Sequence, residues 1–287
     1  PSRSLPSSQW DRSTSGTPDI RPTLLRTARR SPVSVSRVLL PAGQVADYHR
    51  EGYLVLPSVL SESELAGLRG ECERRLATLI DTMDMVGAQT LGLSHRDRRY
   101  FLHAPLEDSP FLSRFLFDET IVDVAMSLLG PDVYLFLELF VVKPPEVGTS
   151  MAWHQDGGYV MGHPHDPYVS LWVALDDMTV ENGTICVLPR GRQPAAGGDG
   201  VPGLMPHSKD RATNDLVGYD GPDPGDALEV TAGSIVALAS TTFHRTGENR
   251  SPAPRRAFLV SYSQSPITAR GGALWNRADP CRRAGER

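Results

Sequence analysis

Met151-Ala152-Trp153-His154-Gln155-Asp156 is a short β-type run that ends in two metal-type ligands. On a strand, residues i and i+2 point to the same face. His154 and Asp156 can therefore grip one ion while Gln155 turns away. His244 lies ninety positions downstream, and on a neighbouring strand it closes one triangular face of an octahedron. Two histidines and one carboxylate, with open positions opposite, are the arrangement of non-heme Fe(II) sites. A His-x-Asp triplet is common by chance, so its weight depends on the fold that carries it.

Around this run the sequence reads as strands. Val133–Val142, Met151–Gln155, Val169–Leu175, Thr184–Leu188, Ser234–Ala239, Thr241–Thr246 and Arg256–Ser263 are rich in β-branched and aromatic residues. Turn signals separate them at Pro144-Pro145, Gly157-Gly158, Asn182-Gly183, Gly233 and Ser251-Pro252. Upstream, 44–50 reads as a short helix stopped by Gly52, and 53–56 as a strand. Ser61 with Glu64 makes a capping box for a helix whose apolar face is Leu65, Leu68, Cys72, Leu76 and Leu79. A further helix is expected over about 110–129, with Phe111, Phe115, Val122 and Met126 inward. Helices followed by many short strands imply a mainly β fold with flanking helices, a double-stranded β-helix of the cupin-like jelly-roll type.

Residues 39–270 are expected to form that domain. Within it, about 190–228 is rich in Gly and Pro and lacks strand character, which reads as a lid over the barrel mouth. Residues 271–287 are expected to be a C-terminal tail. Residues 1–38 are Arg- and Ser-rich with few acids, and are expected to be a disordered leader; the same composition also suits an organellar transit peptide.

The 287 residues, 40% of them apolar, suffice for a sizeable core, and the net charge of −5 leaves no nucleic-acid footprint. No apolar run is long enough to span a membrane. Cys72, Cys186 and Cys281 are widely spaced and odd in number, which suggests neither a disulfide framework nor a zinc site and suits a reducing, cytoplasmic setting. Lysine occurs only at Lys143 and Lys209. A small-molecule partner is expected; the oligomeric state is not encoded in any feature of the chain.

The His154, Asp156 and His244 set leaves coordination positions for a co-substrate and O2. Were the co-substrate 2-oxoglutarate, its far carboxylate would need a cation deep in the barrel, and arginine pairs with carboxylates in a rigid fork. Arg255 and Arg256 both follow His244, and adjacent strand residues face opposite ways, so one of the two points inward. Thr246 shares the face of His244 and can assist with its hydroxyl.

Residues about 46–266 resemble the phytanoyl-CoA dioxygenase family of Fe(II)/2-oxoglutarate oxygenases. The matching pieces are Gly52–Leu56, Lys143-Pro144-Pro145, Trp153–Tyr159, Leu171–Asp177, Asn182-Gly183 with Val187–Pro189, and His244 to Arg256, all in order. The resemblance implies His154, Asp156 and His244 as ligands of Fe(II). It implies Arg255 rather than Arg256 as the 2-oxoglutarate anchor, with Thr246 assisting and Trp172 beside the co-substrate. It also implies conversion of 2-oxoglutarate and O2 to succinate and CO2 while an unactivated C–H of a small molecule is hydroxylated, as in specialised metabolism. Halogenating relatives lack the carboxylate that Asp156 provides, so halogenation is not expected. Pro189-Arg190-Gly191-Arg192 departs from the family's usual Pro-Gly-Ser-His.

Arg99, Tyr100 and His103, in a charged aromatic loop from Arg96 to His103, and Tyr159 and Met161, just past the ligands, are candidate substrate residues. His163-Pro164-His165-Asp166 reads as a turn near the pocket rim, and His207 as an exposed lid residue. Two alternatives stand beside hydroxylation of a small molecule. One is an acyl-CoA hydroxylase, whose substrate phosphates would meet Arg96, Arg98 and Arg99. The other is a non-catalytic jelly-roll binding protein.

Overall fold

The strands of the second half are apolar on both faces, and this fixes their place. Ile235–Ala239 is buried along its whole length. Ile235, Ala237 and Ala239 join a core cluster with helical residues, whereas Val236 and Leu238 join a second cluster with Trp172, Ala174, Ala257, Ile185 and Val187. One sheet therefore lies between a helical layer and a second sheet. The computed structural model describes residues 39–160, 163, 165–195, 201–269 and 271–282. The expected leader at 1–38 lies outside the described residues.

The larger sheet is antiparallel and runs in the order Tyr53–Leu56, Ile235–Ala239, Val169–Ala174, Arg255–Ser263, Val133–Lys143. Tyr100–His103 and Asp279–Arg282 both pair with Val133–Lys143, at different places along it. The smaller sheet runs Asp226–Ala227, Ile185–Val187, His244–Thr246, Met151–His154. Together they make the jelly roll. Among the described residues, α1 (Ala42–Glu51), α2 (Glu62–Val86), α3 (Pro110–Leu116) and α4 (Glu119–Leu129) cover the outer face of the larger sheet. The α2 capping box is present, and Leu65, Leu68 and Cys72 are buried. Gly52 ends α1 at φ 85°, where a side chain would be strained.

Four expectations are corrected. The helix over 110–129 is two helices, because the Asp118 side chain accepts from Thr120 N–H at 2.9 Å and caps a new start. The Arg96–His103 loop ends in a true strand, Tyr100–His103, paired with Leu139–Val142. The segment 190–228 has strand character: Ser208–Lys209 pairs with Leu216–Val217, and Asp226–Ala227 with Cys186 and Val187. It is also fastened to the smaller sheet, with Gly218 N–H donating to Trp153 O at 2.9 Å. The expected tail is a strap: Trp275 N–H bonds Ile267 O, Arg277 pairs with Glu138, Glu107 and Asp279, and Asp279–Arg282 adds a strand. Among the described residues no helix is long and apolar enough to cross a membrane.

Candidate metal and co-substrate site

His154 and His244 are cross-strand partners in the smaller sheet. Their rings lie 4.2 Å apart between centroids. Each Nδ1–H donates to a backbone carbonyl two residues earlier, His154 to Ala152 O at 2.8 Å and His244 to Thr242 O at 3.0 Å. That fixes the tautomer and leaves both Nε2 lone pairs for a ligand role. Asp156 Oδ1 lies 3.7 Å from His154 Nε2 and 3.5 Å from His244 Nε2. The strand expected through Gln155 stops at His154, and Asp156 opens a 3-10 turn, Asp156–Val160. The carboxylate reaches the same point by this turn rather than by strand alternation. Among the described residues these three form the one trio of His, Cys, Asp or Glu close enough to hold an ion.

The trio suits an iron. Its donors are two imidazole nitrogens and a carboxylate, and Asp156 Oδ2 is buried with no partner. Burial and the neighbouring His244 pull the His154 pKa down to about 3, so it is neutral at working pH. Burial alone pushes the Asp156 carboxyl up, but the adjacent His244 and His154 outweigh it and hold the group well below the usual range. Burial lowers His244, and the Asp156 carboxylate more than reverses this.

Gln155 turns away, as expected, and is buried. Its side-chain amide donates to Gly203 O and Thr241 O, and its oxygen accepts from Met205 N–H. His207 Nε2 accepts from Gln155 N–H at 3.0 Å, and its ring lies 6.0 Å from that of Phe243. His207 is thus half-buried against the sheet rather than exposed.

A cavity of about 270 Å³ opens from the trio between the two sheets. Arg255, fully buried, lines it. Its Nη2 donates to Gly183 O at 3.0 Å, while Nε and Nη1 are buried without a partner. Burial pulls its pKa down to about 10. The carbonyl that holds it comes from Asn182-Gly183, where Gly183 has φ 76° and an added Cβ would stand 2.4 Å from Gly247 O. Trp172 lies under the guanidinium, 5.8 Å from Cζ to ring centroid. Thr246, on the smaller sheet, also lines the cavity, and its Oγ1 accepts from Lys143 Nζ at 2.7 Å. Arg256 faces the helices instead, paired with Asp176 and Glu73. The alternation of the strand thus places Arg255 inside and Arg256 outside.

The substrate candidates divide. Tyr159 and His103 line the cavity. Tyr100 does not: its hydroxyl bonds Asp97, and alternation along its strand turns it to the helices. Arg99 touches the cavity wall but uses all its donors elsewhere, on Leu93 O, Ser150 O, Thr213 O and both oxygens of buried Asp215. It has no N–H left for a substrate. Met161 lies outside the described residues. No described residue of 190–228 lines the cavity, and neither His163 nor His165 does, so the expected lid and rim are elsewhere. Leu93, Phe101 and Trp275 line the cavity with Leu137, Leu139 and Leu259. The period-2 pattern of 133–143 already placed Leu137, Leu139 and Lys143 on one face; no sequence signal marked Trp275.

The family model of phytanoyl-CoA dioxygenase (PhyH) matches residues 48–257. A "Phytanoyl-CoA dioxygenase" of Arabidopsis thaliana is 24% identical, covering 85% of this chain and 94% of its own. An "Ectoine dioxygenase" of Bordetella parapertussis is 28% identical over 80% of this chain and 77% of its own. The solved structure of the epimerase SnoN, in complex with Fe3+, alpha ketoglutarate and nogalamycin RO, superposes with a TM-score of 0.64 at 20% identity, covering 84% of this chain and 98% of that one.

Proposed function

This chain belongs to the phytanoyl-CoA dioxygenase family and is a 2-oxoglutarate-dependent non-heme iron dioxygenase, and from that premise we propose that it hydroxylates an unactivated C–H bond of a small, largely apolar molecule in specialised metabolism, with release of succinate and CO2. In this reading His154, Asp156 and His244 hold Fe(II), Arg255 and Thr246 receive the far carboxylate of 2-oxoglutarate, and Trp172 flanks it. The bound iron supplies O2 activation coupled to decarboxylation of the co-substrate. The protein's part is placement. Two backbone carbonyls aim the imidazoles. A buried guanidinium with Nε and Nη1 unpartnered has N–H groups left to donate to a carboxylate. The apolar walls exclude water from the reacting C–H and orient it.

The observation that carries the reading is the buried Arg255 guanidinium, with Nε and Nη1 unpartnered and, among the described residues, no carboxylate paired to it, in the wall of an apolar cavity that also has the trio in its wall. A buried cation left unpaired is costly, and a carboxylate of the co-substrate removes that cost. The remaining surface of the cavity favours a neutral, apolar substrate. Two similar proteins bear names or ligands of small molecules, ectoine and nogalamycin RO. The acyl-CoA reading is weaker: two of its three arginines are already paired, Arg96 with Asp84 and Arg99 with Asp215.

The test is turnover with Fe(II), 2-oxoglutarate and O2 against two panels, neutral apolar compounds and acyl-CoAs. The expected result is succinate release stimulated by members of the first panel, with a product heavier by one oxygen atom. Stimulation by acyl-CoAs alone contradicts the proposal.

A further inference from the structure

We infer that Trp275 is a specificity-determining residue: carried on the C-terminal strap, beyond the residues that the family model matches, it selects a substrate with a flat apolar ring system over one with an open chain. This rests on the proposed reading of the cavity as the site of a small, largely apolar substrate.

Arg255–Ser263 pairs with Val133–Lys143 along one edge. The other edge is shared by two short strands, Tyr100–His103 against 139–142 and Asp279–Arg282 against 133–135, with a gap between them. The strap crosses the sheet edge at that gap. Asn276 Nδ2 donates to Phe136 O at 2.6 Å. Trp275 lines the cavity on one face of the sheet, while Arg277 pairs with Glu138, which alternation turns to the other face. Lys143, the cross-strand partner of Arg255, lies about 20 Å along the strand from Phe136. Trp275 therefore stands well away from the guanidinium proposed for the co-substrate.

It is close instead to the segment that carries a metal ligand. The 3-10 turn that begins at Asp156 ends at Val160, and Val160 belongs to one apolar cluster with Phe136, Tyr168, Ile267 and Trp275. Within it the Phe136 ring meets Tyr168 at 4.7 Å and 79°, and Trp275 at 6.1 Å and 65°. These edge contacts set two rings, Tyr168 and Trp275, in the cavity wall. The other four members are at most 2% exposed, whereas Trp275 is only half-buried, so its indole keeps surface for a ligand. A ring partner gains up to about tenfold in affinity from an aromatic neighbour beyond the area it buries, and an open chain does not.

The competing role is a plug that merely closes the sheet edge. The two roles separate by probe. The full chain, loaded with Fe(II) and 2-oxoglutarate, is titrated anaerobically by calorimetry with 2-naphthol and with 1-octanol. Wild type should bind 2-naphthol more tightly. Trp275→Leu, which stays apolar but loses the ring, should weaken 2-naphthol about tenfold and leave 1-octanol within about threefold of wild type. Trp275→Phe should keep 2-naphthol within about threefold. Arg277 is a positioning residue in this account: Arg277→Gln loosens the strap and should also weaken 2-naphthol, but in the double variant it should add no more than about twofold to Trp275→Leu. Arg277→Gln and Trp275→Phe carry the test if the leucine variant does not fold. Equal weakening of both probes, or of neither, means a plug and overturns the inference. A phenylalanine variant as weak as leucine, or multiplying effects in the double variant, also overturn it. Failure of the underlying reading appears separately, as a wild type that binds neither probe, and takes the inference with it.

Discussion

Two adjacent arginines on one strand meet opposite environments. Arg255 is inside with two unpartnered nitrogens, and Arg256 is outside in a bidentate pair with Asp176. Arg255→Ala should lower 2-oxoglutarate affinity by about a hundredfold, the 1.5–3 kcal/mol of charged hydrogen bonds, with Fe(II) affinity unchanged. Arg256→Ala should lower thermal stability and leave 2-oxoglutarate binding as in wild type; isothermal titration of both variants checks the contrast. Strand alternation showed that one of the pair faces inward but left open which, and the resemblance of the surrounding motifs decided it. His154 and Asp156 were legible from their i, i+2 spacing, and His244, ninety positions on, from the ordered motifs that carry the family resemblance. The state of Arg99 was not, because its partner Asp215 lies 116 residues away. No pattern in the sequence reports a pairing at that distance.

At the scale of elements, the strands and the capped helix were legible from apolar spacing and the Ser61–Glu64 box. The break at Asp118 and the strand Tyr100–His103 were not: a capping aspartate inside an apolar run and a four-residue strand with alternate faces both need tertiary context to be recognised. The same holds for the segment from 201 onward, which a buried pair helps to place. Asp215 joins Arg99 and accepts from Ala152 N–H at the edge of Met151–His154. Asp215→Ala leaves a buried guanidinium unpaired and should cost about 3–5 kcal/mol in denaturant unfolding, without altering the residues around the iron. The C-terminal strap depends on Arg277 and Glu138. Burial, opposed by Arg277, pushes the Glu138 carboxyl up to about 7, from 4.5. A carboxyl with a raised folded pKa supports the fold fully below its unfolded pKa, and that support is lost as pH rises through the folded one. The thermal midpoint should therefore fall between about pH 4.5 and 7 in wild type, and fall less in Glu138→Gln. Identical profiles for the two proteins contradict this account of the strap.

For the whole molecule, the larger sheet buries one face under helices and the other against the smaller sheet. The smaller sheet carries His154 and His244 to the cavity wall, and the turn after Met151–His154 adds Asp156. A site that binds an ion only when folded adds to stability by mass action: at a hundredfold excess over Kd the gain is about 2.7 kcal/mol. Anaerobic Fe(II) should raise the unfolding midpoint, a chelator should reverse it, and His154→Ala should show neither effect. The central claim is that the trio holds iron and the Arg255 end holds 2-oxoglutarate in one cavity. The most direct test is anaerobic absorption spectroscopy of wild type, His154→Ala and Arg255→Ala during successive addition of Fe(II) and 2-oxoglutarate. The account predicts a charge-transfer band in wild type that needs both additions, its loss in His154→Ala, and its recovery in Arg255→Ala only at much higher 2-oxoglutarate. A band that persists in His154→Ala, or that appears at the same 2-oxoglutarate concentration in Arg255→Ala as in wild type, contradicts it.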